Sequence, residues 1–340
     1  MRRRLALVIS LALIASACGD DADSDDAQRA PTTSAESPSA EETTTTEAAP
    51  ASTTTAAPTT TAAPEPAGSS GCGAGASAGT ERLTIDTTDG LTREYQRHVP
   101  AAYDDAVATP VVLNFHGLTS NIESQVLLSR LEPLADDETF IVVTPQGTLR
   151  DGDVPFWNAS PITAGIVNDA QFVDELLDRL EDDLCVDTAR VYSTGMSNGG
   201  FMSGHLACVM PDRITAIAGV TGLTSPRDCD EDRPVPVLHF HGTDDAVVRF
   251  DGIPERVADW ADVNDCEDDP TVAEVSAEVT LTVYDCEDDA QVEFYVVDGG
   301  GHTWPGSPLP DALQAILGYT TLDIDATALA WEFFERHAIS

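Results

Sequence analysis

A serine between two glycines is the residue of this chain best placed to act as a nucleophile. Ser197 is the centre of the pattern G-M-S-N-G over residues 195–199, which follows a short apolar run at 190–194 and precedes a predicted helix at 201–207. Between a strand and a helix, this pattern places serine at a strained turn with its hydroxyl exposed, and the glycines permit close backbone approach. The context therefore predicts a nucleophile elbow.

The same pattern occurs a second time, as G-A-S-A-G over residues 75–79. Because glycine and serine are common residues, roughly one chain in ten of this length carries such a pattern by chance. No apolar run precedes the second copy and no amphipathic helix follows it. We therefore interpret Ser77 as a linker residue.

Two adjacent carboxylates follow Ser197 along the chain and could supply the acid of a catalytic triad. Residues 234–240 have the pattern of a buried strand and continue directly into H-G-T-D-D over residues 241–245. Asp244 and Asp245 therefore come just after the carboxyl end of that strand. The pattern alone leaves both of them open as the acid.

A histidine in a glycine-rich loop could supply the general base. Residues 291–297 are a predicted strand, and His302 follows three glycines in the loop over residues 298–306. Serine, then aspartate, then histidine, each after a strand, is the chain order of α/β-hydrolases and differs from the orders in chymotrypsin-like and subtilisin-like enzymes.

Four motifs together resemble one family. They are H-G at 116–117, after an apolar strand, G-M-S-N-G-G at 195–200, H-G-T-D-D at 241–245 and G-H-T-W-P-G at 301–306. The set resembles the secreted polyhydroxybutyrate depolymerase-like and feruloyl esterase-like branch of the α/β-hydrolases, over about residues 72–340. The resemblance implies an α/β fold with a mostly parallel central sheet flanked by helices. It also implies a serine carboxylic ester hydrolase.

The resemblance further implies a role for each site residue. Ser197 would attack the ester carbonyl and His302 would take the serine proton. Asp245 stands at the family's position for the acid and would orient the histidine. The oxyanion would lie between the backbone N–H groups of Asn198 and Leu118. No cofactor is expected.

Two tryptophans could line an acyl or aromatic pocket. Trp157 lies in a loop after a strand, and Trp304 comes two residues after His302. Packing in the core or at its rim is the alternative for each of them. The segment at 156–159 lacks the flanking cysteine and second tryptophan common among relatives, so the shape of the pocket stays open.

Two other classes of function deserve comparison with an esterase. His239 and His241 alternate on one predicted strand and could chelate a metal, but Gly242 and Thr243 break the H-x-H-x-D-H order of dinuclear hydrolases, and no metal is expected. A hydrolase fold without activity, used for adhesion or binding, is the other alternative. The complete set of Ser197, Asp245 and His302 argues against it.

The N-terminal residues are predicted to export and tether the protein. Residues 1–17 combine three arginines, an apolar run and A-S-A, which is typical of a signal peptide and too short for a membrane span. Cys18 follows directly and resembles a bacterial lipidation site, with ordinary signal cleavage as the alternative. Residues 18–71 are rich in Thr, Ala, Pro and Asp and are predicted to be a disordered tether. We therefore expect an extracellular or cell-envelope enzyme, lipid-anchored at Cys18.

The six other cysteines fit an exported chain. Six cysteines allow fifteen pairings, and none of their spacings is typical of a zinc site. The resemblance implies the disulfides Cys72–Cys185, Cys208–Cys229 and Cys266–Cys286.

The net charge of the chain restricts which partners it can bind. The chain has 59 acidic residues against 17 basic ones, all of them arginine, for a net charge of −42. Residues 72–340 hold 49 of the acidic residues and 13 arginines, a net charge of −36. Such a chain disfavours nucleic acid and anionic membranes as partners. We expect an ester as the partner, membrane contact only through the lipid anchor, and a monomer.

An acidic pentad, D-C-E-D-D, occurs twice, at residues 265–269 and 285–289. A bond between Cys266 and Cys286 would bring eight carboxylates into one patch. Because hard cations favour clustered oxygen ligands, stabilisation by calcium or high salt is one hypothesis. A solvated acidic face without a defined site is the alternative.

Overall fold

A computed structural model describes residues 68–150, 152–159, 167–227, 229, 233–287 and 290–339. These residues all belong to one compact unit. The predicted signal peptide, Cys18 and residues 18–67 of the predicted tether lie outside the described residues. Within the described part of the chain, the search for a helix long and apolar enough to cross a bilayer found none.

A ten-stranded sheet forms the centre of the fold. The strands of the described residues are, in chain order, β1 (Gly79–Asp86), β2 (Thr92–Val99), β3 (Thr109–Phe115), β4 (Ile141–Pro145), β5 (Thr148–Arg150), β6 (Val154–Phe156), β7 (Val186–Met196), β8 (Ala216–Val220), β9 (Val237–Gly242), β10 (Thr271–Glu274), β11 (Val279–Tyr284) and β12 (Val292–Val297). Strands β5 and β6 form a separate hairpin, and the other ten form the sheet. The order across the sheet is β1-β2-β4-β3-β7-β8-β9-β12-β11-β10. The six strands from β4 to β12 run parallel, and antiparallel strands lie at both edges. This is the mostly parallel sheet that the resemblance implied.

Helices pack against both faces of the sheet. The helices of the described residues are α1 (Ile122–Ser129), α2 (Leu131–Glu138), α3 (Asp169–Asp183), α4 (Asn198–Val209), α5 (Ile253–Val263), α6 (Asp311–Leu317) and α7 (Ala326–Phe334), of which α6 buries no residue. Side chains alternate between the two faces along each strand. Accordingly Val111 and Leu113 of β3 belong to a core cluster with residues of α3, α4 and α5, whereas Val112 belongs to a second cluster with residues of α2 and α7.

The strands that the sequence predicts around the site motifs are present as β3, β7, β9 and β12. Because these four strands are parallel, the loops that follow them emerge at the same edge of the sheet. Helix α4 begins at Asn198, three residues before the predicted start at residue 201. The elbow therefore has no spacer, and Ser197 directly precedes the helix.

Three disulfides join the pairs that the resemblance implied: Cys72–Cys185, Cys208–Cys229 and Cys266–Cys286. The first ties the beginning of the folded chain to the start of β7. A link of this kind stabilises mainly by restricting the unfolded chain, and the restriction grows with the length of the closed loop.

Residues 68–71, at the end of the predicted tether, pack against the folded chain. The Ser69 backbone N–H donates to the Val186 carbonyl at 3.0 Å. A Cβ atom at Gly71 would lie only 2.5 Å from the Leu184 backbone nitrogen. Close packing thus requires small residues at this point, and the boundary between the tether and the domain stays a prediction.

A hairpin of two strands, β10 and β11, lies between Cys266 and Cys286. Every residue of β10 is exposed, so the strand lacks the apolar face that would mark it in the sequence. The first residues of the two pentads lie side by side, with the Glu267 N–H donating to the Asp285 carbonyl at 2.8 Å. Residues 288–289 lie outside the described residues, and the calcium hypothesis stays a prediction.

Candidate active site

Ser197 lies at a sharp turn between β7 and α4. Its φ is 56° and its ψ is −118°, a conformation with positive φ that typically costs about 1–3 kcal/mol in a residue other than glycine. The Ser197 N–H donates to the Val220 carbonyl at 2.8 Å, and the Ser197 carbonyl accepts from the Phe201 N–H at 2.9 Å. Ser197 is partly exposed between the buried residues Met196 and Asn198. The turn thus presents its serine at the surface.

The glycines beside Ser197 allow the elbow to pack directly on the end of β3. A Cβ atom at Gly199 would lie 2.1 Å from the Phe115 carbonyl oxygen, and one at Gly195 would lie 2.6 Å from the same oxygen. Real Cβ atoms do not approach an oxygen this closely. The G-x-S-x-G spacing is therefore a packing requirement as well as a sequence pattern.

The second copy of the pattern has a different environment. Residues 75–78 form neither helix nor strand, and Ser77 is exposed. The element that follows is the edge strand β1 and not a helix. This copy lacks the strand-turn-helix arrangement that makes a serine an elbow nucleophile.

His302 and Asp245 form a buried pair. The His302 Nδ1 lies 2.8 Å from the Asp245 Oδ2, and the two residues are only 5% and 4% exposed. The backbone N–H groups of Val247 and Val248 donate to Asp245 Oδ1 at 2.8 and 2.9 Å, which fixes the carboxylate. Because an ionised carboxylate only accepts, His302 carries its proton on Nδ1. Its Nε2 is then free to accept a proton, as a general base requires.

The neighbouring carboxylate is not part of this pair. Asp244 is exposed, and its backbone N–H donates to the Gly300 carbonyl at 2.9 Å. The turn after β9 directs only the Asp245 side chain towards His302. The geometry favours Asp245 over Asp244 as the acid.

Two further histidines extend from Asp245 into the core. His241 Nε2 lies 2.8 Å from the Val248 carbonyl oxygen and 3.5 Å from Asp245 Oδ2, and His241 Nδ1 lies 3.1 Å from His239 Nε2. Burial lowers the pKa of His241 and lowers the pKa of His239 well below its usual value, so both rings are neutral. His239 Nε2 and His241 Nδ1 are hydrogen-bonded to each other, and His241 Nε2 is hydrogen-bonded to the Val248 carbonyl. These contacts argue against a metal site at this histidine pair.

These buried histidines predict that folding stability falls as the solution becomes acidic. Since their pKa values are lowered in the folded state, the unfolded chain binds more protons below about pH 6.5, and protonation favours unfolding. We expect the free energy of unfolding of His239→Gln to depend less steeply on pH between 6.5 and 5. The difference in slope would be at most about 1.4 kcal/mol per pH unit. Urea denaturation at several pH values measures it, and parallel curves for the two proteins would contradict this account.

The segment after β3 passes close to Ser197. A Cβ atom at Gly117 would lie 3.5 Å from the Ser197 Cβ. The Gly117 carbonyl accepts from His116 Nδ1 at 2.7 Å and from the Ser120 N–H at 3.1 Å. Because the carbonyl and the next N–H of a trans peptide point in opposite directions, these bonds also fix the direction of the Leu118 N–H. Within the described ranges, that N–H donates to no other group.

The side chain of His116 is held in one neutral form. The Gly147 N–H donates to His116 Nε2 at 3.0 Å, so the imidazole proton must be on Nδ1, where it is donated to the Gly117 carbonyl. Burial lowers the pKa of His116 to about 4. The ring is therefore a neutral donor throughout the neutral pH range. The sequence marked His116-Gly117 as a motif without predicting this contact.

Asn198 supplies a second backbone N–H beside Ser197. As the first residue of α4, it has an N–H without a helical partner, and in the part of the chain that the structure covers this N–H donates to no other group. The positive end of the helix dipole lies at the same place and favours negative charge there. The Asn198 side chain bonds the Trp157 backbone twice, accepting from its N–H at 2.7 Å and donating to its carbonyl at 3.1 Å.

Neither of the predicted pocket tryptophans faces solvent. Trp157 and Trp304 are 0% and 1% exposed. The Trp304 indole N–H donates to Thr327 Oγ1 at 3.0 Å, and that of Trp157 donates to the His116 carbonyl at 2.9 Å. The alternative of core packing is therefore the better description of both residues. The expectation that they line a pocket is corrected.

Exposed apolar side chains lie instead in the loops that carry the site. Leu118 follows His116-Gly117 and Val247 follows Asp245, with exposures of 44% and 57%. Tyr319, 45% exposed, lies beside the histidine loop, where its carbonyl accepts from the Gly301 N–H at 2.8 Å. The sequence motifs indicated Leu118 only for its backbone N–H and gave no prediction for Val247 or Tyr319. The only signal in the sequence was the position of Leu118 and Val247 directly after motif residues.

Comparison with known proteins agrees with this architecture. No protein-family model matches the chain. A bifunctional acetylxylan esterase/xylanase from Neocallimastix patriciarum is 26% identical over 232 residues, covering 66% of this chain and 33% of that protein. Feruloyl esterase D from Neurospora crassa is 27% identical over 291 residues, covering 79% and 91%. The chain thus spans about a third of the length of the first relative and most of the second.

A solved structure shows the same fold. The acetyl xylan esterase from Aspergillus awamori aligns with a TM-score of 0.52 and 15% identity, covering 66% of this chain and 94% of that one. The parallel sheet, the elbow and the order of the site loops are those of the α/β-hydrolase fold, and in sequence the chain is similar to feruloyl and acetylxylan esterases.

Proposed function

We propose that the chain is a carboxylic ester hydrolase with a triad of Ser197, His302 and Asp245. The observation that carries the proposal is the buried 2.8 Å contact between His302 Nδ1 and Asp245 Oδ2, at the edge of the sheet where the strained turn presents Ser197. Names of relatives that refer to feruloyl and acetylxylan esterases support the same reaction class.

The proposed mechanism uses two steps. His302 Nε2 takes the proton of the Ser197 hydroxyl as the oxygen attacks the ester carbonyl, and Asp245 stabilises the imidazolium that forms. The proton then passes to the leaving alcohol, and an acyl-enzyme remains. Water, activated by the same histidine, hydrolyses the acyl-enzyme to the carboxylic acid and free serine.

The backbone N–H groups of Asn198 and Leu118 are the proposed donors to the tetrahedral oxyanion. Asn198 directly follows Ser197, and Gly117, which precedes Leu118, lies close to it. Neither N–H donates to another group among the described residues. Donors fixed in advance act where charge develops, and loss of one such donor typically costs about 10²- to 10³-fold in kcat.

The proposed natural substrate is a polysaccharide that carries feruloyl or acetyl esters. Polyhydroxybutyrate is the alternative polymer substrate. Leu118, Val247 and Tyr319 offer apolar surface for the acyl group or its carrier. The strongly negative chain favours uncharged esters over anionic ones.

A panel of esters tests the reaction and the acyl preference together. Methyl ferulate, acetylated xylan, p-nitrophenyl acetate and a polyhydroxybutyrate film would be incubated with the wild type, and released acids would be quantified by chromatography. We expect hydrolysis of the feruloyl or acetyl esters and none with Ser197→Ala. A wild type that releases no acid from any of these esters would contradict the proposed function.

Export and surface attachment are part of the proposal. The resemblance of residues 1–17 to a signal peptide, the three disulfides and the low-complexity residues that follow Cys18 support an extracellular or cell-envelope location. Lipidation at Cys18 would keep the catalytic domain attached to the membrane through the tether.

A further inference from the structure

Trp157 contacts both of the segments that carry the proposed oxyanion donors. Its indole Nε1–H donates to the His116 carbonyl at 2.9 Å, in the segment that leads to Leu118. Its backbone N–H and carbonyl bond the side chain of Asn198 at 2.7 and 3.1 Å. One residue of a third loop therefore links the end of β3 to the start of α4.

Packing fixes the indole ring in this position. Trp157 is fully buried, and its ring meets the Phe115 ring edge to face, with centroids 5.0 Å apart and an interplanar angle of 87°. The His116 ring lies 5.1 Å away. Arg93 lies on another side, with its Cζ 5.9 Å from the indole centroid. A ring enclosed in this way has little freedom to move relative to β3.

A buried ion pair fixes the loop that carries Trp157. The next residue, Asn158, donates its backbone N–H to Asp169 Oδ2 at 2.7 Å. Asp169 Oδ1 in turn accepts from Arg93 at 2.7 Å, and both side chains of this pair are almost fully buried. Trp157 is thus held independently of the two segments that it joins.

We propose that Trp157 is a positioning residue, which sets the spacing between the Asn198 and Leu118 N–H groups through its bonds to the Asn198 side chain and the His116 carbonyl. The inference rests on the proposed function, because it assigns a role within that oxyanion site. Trp157 contacts no substrate. It acts by holding two donors that must converge on one oxygen, and displacement of such groups by a fraction of an ångström lowers kcat without preventing substrate binding.

The test compares Trp157→Phe with Trp260→Phe. Trp260, on α5, is 2% exposed, belongs to the same core cluster and donates its indole N–H to a backbone carbonyl, that of Thr224, at 2.8 Å. Both changes remove one buried indole hydrogen bond and part of one ring. We expect similar losses of melting temperature in the two variants. In Trp157→Phe alone, kcat should fall by about 10- to 100-fold with KM within about twofold.

Affinity for a transition-state analogue separates positioning from general damage. An alkyl trifluoromethyl ketone adds to the serine and places an oxyanion between the donors. Its inhibition constant should rise in Trp157→Phe by about the same factor as kcat/KM falls. It should stay within about twofold of wild type in Trp260→Phe. Equal kinetic constants in the two variants, or a change in KM alone, would overturn the inference.

A second variant covers the case in which Trp157→Phe does not fold. Incorporation of 3-benzothienylalanine at position 157 keeps the shape of the ring and replaces the N–H by sulfur. The same loss of kcat is expected, and full activity would overturn the inference.

If the wild type hydrolyses no ester and binds no ketone, the proposed function fails and this inference with it. An active wild type with unaffected Trp157 variants overturns only the inference.

Discussion

Ser197→Ala should lower kcat for ester hydrolysis by roughly 10⁴- to 10⁶-fold, the range seen when the nucleophile of a triad is removed. The hydroxyl oxygen forms the acyl bond in the proposed mechanism, and alanine cannot replace it. Residual activity would come from the remaining donors and from binding. Initial rates on the best ester of the panel, with enzyme concentration fixed by absorbance, measure the effect.

The chain contains its own control for this experiment. Ser77→Ala removes the serine of the second G-x-S-x-G copy, which is exposed and precedes a strand. We expect its activity to equal that of the wild type. Wild-type activity in Ser197→Ala, or a large loss in Ser77→Ala, would contradict the assignment of the nucleophile.

Asp245→Asn should lower kcat by about 10⁴-fold. The carboxylate holds His302 with its proton on Nδ1, through the 2.8 Å bond to Oδ2. An amide can donate to Nδ1 and so stabilise the wrong tautomer, and it does not stabilise the imidazolium formed during attack. Structure and melting temperature should change little, because asparagine has nearly the same shape. Kinetics on the same ester measure the loss.

Asp244→Asn is the matched control for this change. The two residues are adjacent in the same turn, but Asp244 is exposed and Asp245 is buried against His302. We expect Asp244→Asn to keep kcat within about twofold. If Asp244→Asn is the more damaging of the two, then the acid of the triad has been assigned to the wrong residue.

The parts of this site that follow from local rules could be predicted from the sequence. The apolar runs before Ser197, Asp245 and His302 identify β7, β9 and β12, and parallel pairing brings their loops to one edge. The glycines flanking Ser197 mark the close approach to Phe115. For these elements, short-range patterns and the rules of parallel sheets are enough.

The parts that depend on tertiary contacts could not be predicted. Whether Asp244 or Asp245 faces His302 is decided by the turn after β9, and adjacent residues of the same type give no periodic signal. Trp157 is a large aromatic residue in a loop, and sequence does not tell a pocket wall from a buried link. Its partners, His116 and Asn198, are 41 residues away along the chain on either side.

The packing of residues 68–71 and the β10–β11 hairpin could not be predicted from composition. Glycines and serines are typical of linkers, but Gly71 is also the small residue that close packing against Leu184 requires. Every residue of strand β10 is exposed, so the sequence shows no apolar alternation there. The strand is defined only by its hydrogen bonds to β11. In both places composition is ambiguous, and backbone pairing or packing with another segment decides the structure.

Covalent labelling tests the central claim most directly. The wild type, Ser197→Ala and Ser77→Ala would each be treated with a fluorophosphonate, and the modified peptide would be located by mass spectrometry. The account predicts one adduct per chain, on Ser197, with parallel loss of ester hydrolysis. It predicts the same adduct in Ser77→Ala and none in Ser197→Ala. An active wild type that takes no label, or an adduct on any residue other than Ser197, would contradict it.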